Sequence, residues 1–165
     1  MTDFEKIAHL IRFGLPLKKI SHETIIEWTD KKINDERFSD IFLTNNSNQI
    51  IESFSNKVVW DFNNVEIRNL ILSYYNEYLK NNEDKWFKIE EELSNYFELL
   101  EYNNSNEAGN DFLYILADDI SLRKDGYGNF VANMPDYLIE NLSGHSNYNK
   151  LNELLTKNGL VGYNI

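Results

Sequence analysis

Two stretches in the middle of the chain carry apolar residues at helical spacing almost without interruption. In the first, which Asn64 can cap, the apolar residues are Ile67, Leu70, Ile71, Tyr74, Tyr75, Tyr78 and Leu79. In the second they are Trp86, Ile89, Leu93, Tyr96, Phe97 and Leu100. This period predicts two amphipathic helices. The short break at Asn81 and Asn82 predicts that the two helices form an antiparallel hairpin at the centre of the core.

The rest of the chain shows the same helical period. Thr2 and Ser21 are residue types that cap helix N-termini, and Gly14 and Pro16 are typical of the end of the first helix. Apolar spacing predicts further helices near residues 25–33, 38–42, 50–58, 112–119, 135–142 and 151–155. We therefore predict an all-α fold of roughly seven to nine helices, a helical bundle or short helical stack that forms a single domain over residues 1–165.

Residues 120–132 leave two alternatives open. Ile120, Leu122 and Phe130 flank the segment Lys124-Asp125-Gly126-Tyr127-Gly128. An Asp-Gly pair between extended runs is typical of a hairpin turn, so one small β-hairpin is predicted here as an alternative to a segment without strands.

Composition and charge exclude several classes of protein. The chain has no cysteine, which excludes disulfide scaffolds, thiol nucleophiles and cysteine-ligated metals. Its net charge of -11 argues against nucleic acid or an anionic membrane as a partner. No apolar run is long enough for a transmembrane helix, and the acidic start of the N-terminus is unlike a secretory signal. We expect a cytoplasmic, bacterial protein.

Known catalytic and metal-binding patterns are not found in the sequence. Of the three histidines, His22 is followed by Glu23, but Ile26 stands where a zinc protease has its second histidine. His9 and His145 are predicted to be a surface hydrogen-bonding group and a solvated loop residue. The Gly126-Tyr127-Gly128 segment matches no nucleotide-binding fingerprint. We therefore predict no catalytic residues, no metal site and no cofactor.

Acidic residues are concentrated in the second half of the chain. Residues 1–82 hold 10 Lys+Arg and 12 Asp+Glu, a net charge of −2, whereas residues 83–165 hold 6 and 15, a net charge of −9. On the second helix of the predicted hairpin, the face opposite the apolar residues is polar. The residues predicted to bind a partner there are Asp84, Glu91, Glu92, Asn95, Glu98, Glu101 and Tyr102. Such a face either keeps the protein dispersed in water or steers a cationic protein toward it.

Aromatic residues add to the case for binding. Tyr combines a large contact area with a polar tip and is enriched in binding surfaces. The tyrosines that lie near predicted loops or helix ends, and so are candidates for exposure, are Tyr102, Tyr114, Tyr127, Tyr148 and Tyr163.

The N-terminal residues carry a family resemblance. Gly14-Leu15-Pro16 is followed by a segment, residues 20–33, that reads Ile-Ser-His-Glu-Thr-Ile-Ile-Glu-Trp-Thr-Asp-Lys-Lys-Ile. Over about the first 35 residues the chain resembles small acidic helical bacterial proteins similar to the immunity proteins of polymorphic toxin systems. The resemblance implies a cytoplasmic antitoxin without catalytic activity. It carries over no functional residues.

These observations favour a non-catalytic protein-binding module. The leading hypothesis is an immunity protein that blocks a basic, nuclease-like toxin through the acidic helix face. The alternatives are a structural or adaptor protein that binds through an apolar groove, and an enzyme of unknown class.

Overall fold

The computed structural model describes residues 1–32, 34–100 and 111–162, and within these ranges it is all-helical. The α-helices are, in chain order, α1 (Asp3–Gly14), α2 (His22–Asp30), α3 (Ser47–Ser55), α4 (Val65–Asn81), α5 (Trp86–Glu98), α6 (Asp111–Lys124), α7 (Met134–Ser143) and α8 (Tyr148–Lys157). Short 3₁₀ turns lie at Glu36–Phe38, Ile41–Leu43 and Glu83–Lys85. The prediction of an all-α fold is confirmed for the described residues.

Helix boundaries follow the capping residues that the sequence indicates. At α1 the Thr2 hydroxyl accepts a hydrogen bond from the Glu5 backbone N–H, and the Glu5 carboxylate accepts one from the Thr2 N–H, a complete capping box. At α2 the Ser21 hydroxyl accepts a hydrogen bond from the Thr24 N–H, and at α4 the Asn64 side-chain oxygen accepts one from the Glu66 N–H. Gly144 is the C-cap of α7.

Of the two alternatives for residues 120–132, the structure shows the one without strands, and the β-hairpin does not form in this described segment. Ile120 and Leu122 lie inside α6, which continues to Lys124. Gly126 has a φ of 84°, its N–H donates to the Arg123 carbonyl, and the Tyr127 N–H donates to the Leu122 carbonyl. These bonds form a Schellman motif, so Asp125-Gly126 ends a helix instead of turning a hairpin.

Two compact units make up the chain. Unit 1 is Met1–Trp60 with Asn149–Ile165, and unit 2 is Asp61–Tyr148. The prediction of a single domain over residues 1–165 stays a prediction.

An aromatic cluster fills the core of unit 1. Phe4 packs edge-on against Phe38 with ring centroids 5.5 Å apart, and Phe38 packs edge-on against Trp28 at 5.0 Å. The Trp28 indole N–H donates to the carbonyl of Asn158 over 2.8 Å, which ties α2 to the end of α8. Trp28 and Phe38 are buried and Phe4 is half-buried, and rings of this size contribute strongly to the stability of a core.

Unit 2 is built on α4, α5, α6 and α7. Tyr75 of α4 contacts Glu92 of α5, and Lys88 of α5 lies over the ring of Tyr78 of α4. The two helices therefore run in opposite directions. These contacts confirm the predicted antiparallel hairpin. α5 also packs along α6, and α7 packs against α4 and α5. The Tyr96 hydroxyl, buried in this core, donates to the Phe62 carbonyl over 3.0 Å.

Candidate functional site

All of the chain's net charge comes from unit 2. By sequence, unit 1 contains 10 Lys+Arg and 10 Asp+Glu, a net charge of zero, while unit 2 contains 6 and 17, a net charge of −11. A candidate surface for a cationic partner therefore lies on unit 2.

The exposed polar residues of α5 lie along a narrow strip. We call it the outer strip: Asp84, Lys88, Glu91, Asn95 and Glu98, all of which are exposed. Asp84 precedes α5 in a 3₁₀ turn, and the others follow at intervals of three or four residues along one side of the helix. With a rise of 1.5 Å per residue, the strip extends over roughly 20 Å.

Glu92 does not lie on this exposed side, in contrast to the sequence-based expectation. It is buried, and its carboxylate accepts a hydrogen bond of 2.7 Å from the Tyr75 hydroxyl of α4. The Lys88 ammonium lies 3.9 Å from its other oxygen. Successive helix residues are about 100° apart, so Glu92 points sideways from Glu91 and meets the neighbouring helix. Glu92 therefore holds α4 and α5 together instead of facing solvent.

Glu90 points to the opposite side of Glu91 and meets α6. Its carboxylate forms an ion pair with the Arg123 guanidinium, which also lies 2.9 Å from the carboxylate of Asp119. Glu90 and Asp119 are each only 1% exposed. We call these three residues the Glu90 cluster. With all three groups ionised, the cluster has two negative charges and one positive charge.

Burial is the main electrostatic influence on Glu90. It raises the pKa of this carboxyl from 4.5 to about 7, against the opposing effect of the hydrogen bond from Arg123, and the nearby Asp119 carboxyl adds to the rise. Among the described residues, Glu90 Oε1 has no hydrogen-bond partner. A buried carboxylate in this position favours the protonated form.

The sequence analysis did not predict the Glu90 cluster, although the helical spacing of Asp119 and Arg123 indicates it. Asp119 continues the helical spacing of Phe112 and Leu116, and Arg123 follows Asp119 by one turn. A charged pair that continues an apolar stripe indicates an internal ion pair.

Of the predicted binding residues, four of the five that the structure describes share the exposed side. These are Asp84, Glu91, Asn95 and Glu98, and Glu92 is the exception. Glu101 and Tyr102 lie outside the described residues.

Three aromatic side chains are exposed at one end of the α5–α6 pair. Tyr127 is 80% exposed, Phe130 58% and Phe87 56%. Because Glu90 contacts Arg123, the first turns of α5 lie beside the last turn of α6. Phe87, three residues before Glu90, therefore lies at the end from which residues 125–131 leave α6.

The sequence predicts that some tyrosines are exposed, but it does not predict that Tyr127 lies at the same end of the α5–α6 pair as Phe87. Of the five candidates, Tyr114 and Tyr127 are exposed and Tyr148 is half-buried, while Tyr102 and Tyr163 lie outside the described residues. The Tyr114 ring contacts Phe97 edge-on at 6.0 Å, at the opposite end of the α5–α6 pair.

The histidines occupy separate environments. His9 is buried in unit 1, with Nδ1 2.7 Å from the Glu5 carbonyl and its ring against Trp60, so it is not the surface group that the sequence suggests. His145 is half-buried in unit 2 rather than fully solvated, and burial lowers its pKa. Within the described ranges, no group of three or more His, Asp or Glu side chains is placed to hold a metal ion.

A second feature of unit 2 is a shallow groove between α4 and α7. It has a volume of about 230 Å³ and is lined by Leu79 and Ile139 together with Asn76 and Ser143. Ile139 is exposed, which makes the groove partly apolar. This groove is the counterpart of the apolar site that the adaptor hypothesis requires.

Comparisons with known proteins do not assign the chain. No protein-family model, curated protein or solved structure matches it. In the described part of the chain, none of the helices combines the length and the apolar character needed to cross a bilayer.

Proposed function

We propose that this protein is a non-catalytic binding protein that captures a basic protein on the outer strip of α5. The proposal rests chiefly on the confinement of the whole net charge of −11 to unit 2. Glu91 and Glu98 stand exposed on that strip, two turns apart, where a cationic partner can approach them.

The strip is suited to steering more than to tight binding by itself. Exposed carboxylates attract a cationic partner over a Debye length of about 8–10 Å and raise the rate of association. Each exposed ion pair adds little affinity, on the order of 0.2–1 kcal/mol. We therefore expect the strip to govern the association rate and its salt dependence.

The biological role that we propose is that of an immunity protein for a nuclease-like toxin in the bacterial cytoplasm. A nuclease needs a cationic surface to hold phosphates, and a carboxylate-lined helix can occupy that surface. The resemblance of the N-terminal residues to immunity proteins supports the same role.

A charge-reversal experiment tests the binding surface. The variant Glu91→Lys/Glu98→Lys is compared with Glu23→Lys/Glu27→Lys, which reverses two exposed glutamates on α2 and changes the net charge equally. Association with a short polyarginine peptide is measured from low salt to about 0.5 M salt. We expect the α5 variant to associate severalfold more slowly at low salt and the α2 variant to resemble the wild type. Equal slowing of both variants would contradict a localised site.

A cellular experiment tests the immunity role separately. The reading frame adjacent to the gene in its native genome is expressed with and without this protein. Protection from growth arrest is the expected result. A neighbouring frame that is harmless, or whose toxicity is unrelieved, would contradict the immunity role and leave the binding surface to be judged on the peptide data.

The groove between α4 and α7 supports a second candidate, an adaptor that binds an apolar segment. Exposed Ile139 is the observation that favours it. Binding through this groove would be insensitive to salt and would be weakened by Ile139→Asp. Binding through the outer strip would instead weaken as salt is added and would be unaffected by Ile139→Asp.

A further inference from the structure

We propose that unit 1 contains a binding site of its own, a cavity for a small organic carboxylate that carries a flat apolar group. We call it the unit 1 cavity. The inference goes beyond the proposed function, since the outer strip belongs to unit 2 and takes no part in this site.

The unit 1 cavity borders the aromatic cluster of unit 1 and has a volume of about 230 Å³. Two of its lining residues, Thr2 and Arg37, are exposed, so the cavity opens to solvent. Pockets for drug-sized ligands measure about 300–1,000 Å³, so the smaller volume here suits a small ligand. The apolar part of the lining consists of Phe4, Ile7, Trp28 and Phe38.

Two cationic side chains of the lining lie over these aromatic rings. The Lys32 ammonium is 5.8 Å from the ring centre of Trp28 and 6.0 Å from that of Phe38. The Arg37 guanidinium is 5.0 Å from the ring centre of Phe4 and 5.8 Å from that of Phe38. Both charges therefore lie close to one ring of the cavity. A ring face attracts a cation without neutralising its charge, so both remain able to attract an anion.

Two carboxylates near the cavity already have basic partners. The Asp35 carboxylate accepts hydrogen bonds from Nε and Nη2 of Arg37. The carboxylate of Asp3, which lines the cavity, lies 2.9 Å from the Lys157 ammonium. Each of these carboxylates therefore offsets one basic side chain.

Lys32 is the basic residue that these pairs leave over. Among the described residues its ammonium forms no ion pair with a carboxylate, and its recorded side-chain contacts are the two rings. The pKa of Asp35 is lowered to about 2, first by its hydrogen bond with Arg37 and also by the charge of Lys32, so one carboxylate serves two cations. Glu5, which accepts hydrogen bonds from Thr2, is offset by the nearby N-terminal ammonium.

The lining residues and their ion-pair partners therefore have a net charge of +1. The basic members are Lys32, Arg37 and Lys157, and the acidic members are Asp3 and Asp35. This balance suits a monoanion better than a phosphate monoester, which carries about −1.5 to −2 at neutral pH.

The donors and the rings together indicate which monoanion fits. Asp35 leaves the N–H groups on Nη1 of Arg37 unused, and a planar guanidinium matches the geometry of a carboxylate. The apolar lining favours a flat apolar group attached to that carboxylate, because aromatic rings pack well against one another. The ligand class is therefore an aromatic or similarly flat monocarboxylate.

Benzoate is the probe that tests this site, and binding is followed by NMR of the nitrogen-labelled full chain. The chain has three tryptophans, each with one indole N–H signal. The Trp28 indole N–H donates to the Asn158 carbonyl, and both residues line the cavity, whereas Trp60 and Trp86 do not. We expect benzoate to shift the Trp28 signal and to leave the other two in place. Trp60→Phe and Trp86→Phe assign the signals by elimination.

Substitutions of neighbouring lysines test the role of charge. Lys32→Gln removes the unpaired cation and should weaken benzoate binding about tenfold. Lys31→Gln changes the net charge equally but removes an exposed lysine that does not line the cavity, so it should bind benzoate like the wild type. Lys32→Arg keeps the charge and should restore most of the affinity. Benzylamine, a cation of nearly the same shape as benzoate, should not bind.

Several results would overturn the inference. These are a Trp28 signal that benzoate leaves unmoved, equal weakening by Lys31→Gln and Lys32→Gln, and binding of benzylamine as tight as that of benzoate. Tighter binding of inorganic phosphate than of benzoate would exclude the proposed ligand class. Circular dichroism of each variant verifies that the helices are intact. The outer strip is tested separately by the peptide experiment, so either proposal can fail without the other.

Discussion

Glu90 is expected to make the stability of the protein depend on pH in the neutral range. Its carboxyl is buried against α6, and its pKa is raised from 4.5 to about 7 by burial, with Arg123 opposing the rise. The folded chain therefore holds this proton more tightly than the unfolded chain. The resulting stabilisation is complete below pH 4.5 and is lost as the pH rises through about 7.

The size of the effect follows from the two pKa values. At about 1.4 kcal/mol per pH unit, the shift corresponds to at most about 3.5 kcal/mol between the two limits. Glu90→Gln keeps the shape of the side chain and an oxygen that can accept from Arg123, but it cannot ionise. We expect this variant to match the wild type at about pH 5 and to exceed its stability progressively toward about pH 8.

Urea denaturation followed by circular dichroism at several pH values measures the difference between the two proteins. His145 has a lowered pKa, and its contribution has the opposite sign, since it is lost as the pH falls. It is present in both proteins and therefore cancels in the difference. Glu91→Gln removes an exposed carboxylate one residue away and controls for the loss of one negative charge from the same helix. A Glu90→Gln difference constant to within about 0.5 kcal/mol over this range would refute the assignment.

Two further substitutions test the structure at separate points. Lys18 has a φ of 55° in the turn that follows α1, where the Lys19 N–H donates to the Gly14 carbonyl. Lys18→Gly should therefore raise the melting temperature by ~2–4 °C, and a lower melting temperature in a thermal scan would contradict backbone strain at this position. Tyr75→Phe removes the donor to the buried Glu92 carboxylate and should cost about 1–3 kcal/mol in urea denaturation. The exposed Tyr114→Phe serves as its control, and equal effects of the two would argue against the buried hydrogen bond.

Local signals explain why the helices could be predicted from the sequence. Thr2, Ser21 and Asn64 cap the helices they were expected to cap, because a side-chain oxygen that reaches an N–H two or three residues on needs no tertiary context. Likewise, Ile67 to Leu79 repeat at 3.6 residues, and α4 spans that stretch.

The β-hairpin alternative for residues 120–132 arose where a local signal has two outcomes. Asp125-Gly126 suits both a hairpin turn and a Schellman motif, because glycine at positive φ serves in either. The outcome depends on whether the preceding residues stay helical. They do, since Leu116 and Asp119 are buried and continue the inward face of α6.

The placement of Glu92 depended on tertiary structure. An isolated amphipathic helix exposes about half of its circumference, and on that basis Glu92 belongs to the polar face. α5 is instead covered by α4 on one side and by α6 on the other, so the residues flanking Glu91 turn inward on both sides. Nothing in a single helical pattern indicates how many neighbours a helix has.

The distribution of charge bears on which role the acidic residues have. A charge that only keeps a protein dispersed works from any exposed position, so it has no reason to be confined to one part of the chain. Unit 1 nevertheless balances 10 basic against 10 acidic residues, while unit 2 accumulates the whole net charge of −11. The confinement of the net charge therefore supports the proposal that unit 2 recognises a cationic partner, and the comparison of charge reversals on α5 and α2 tests that proposal directly.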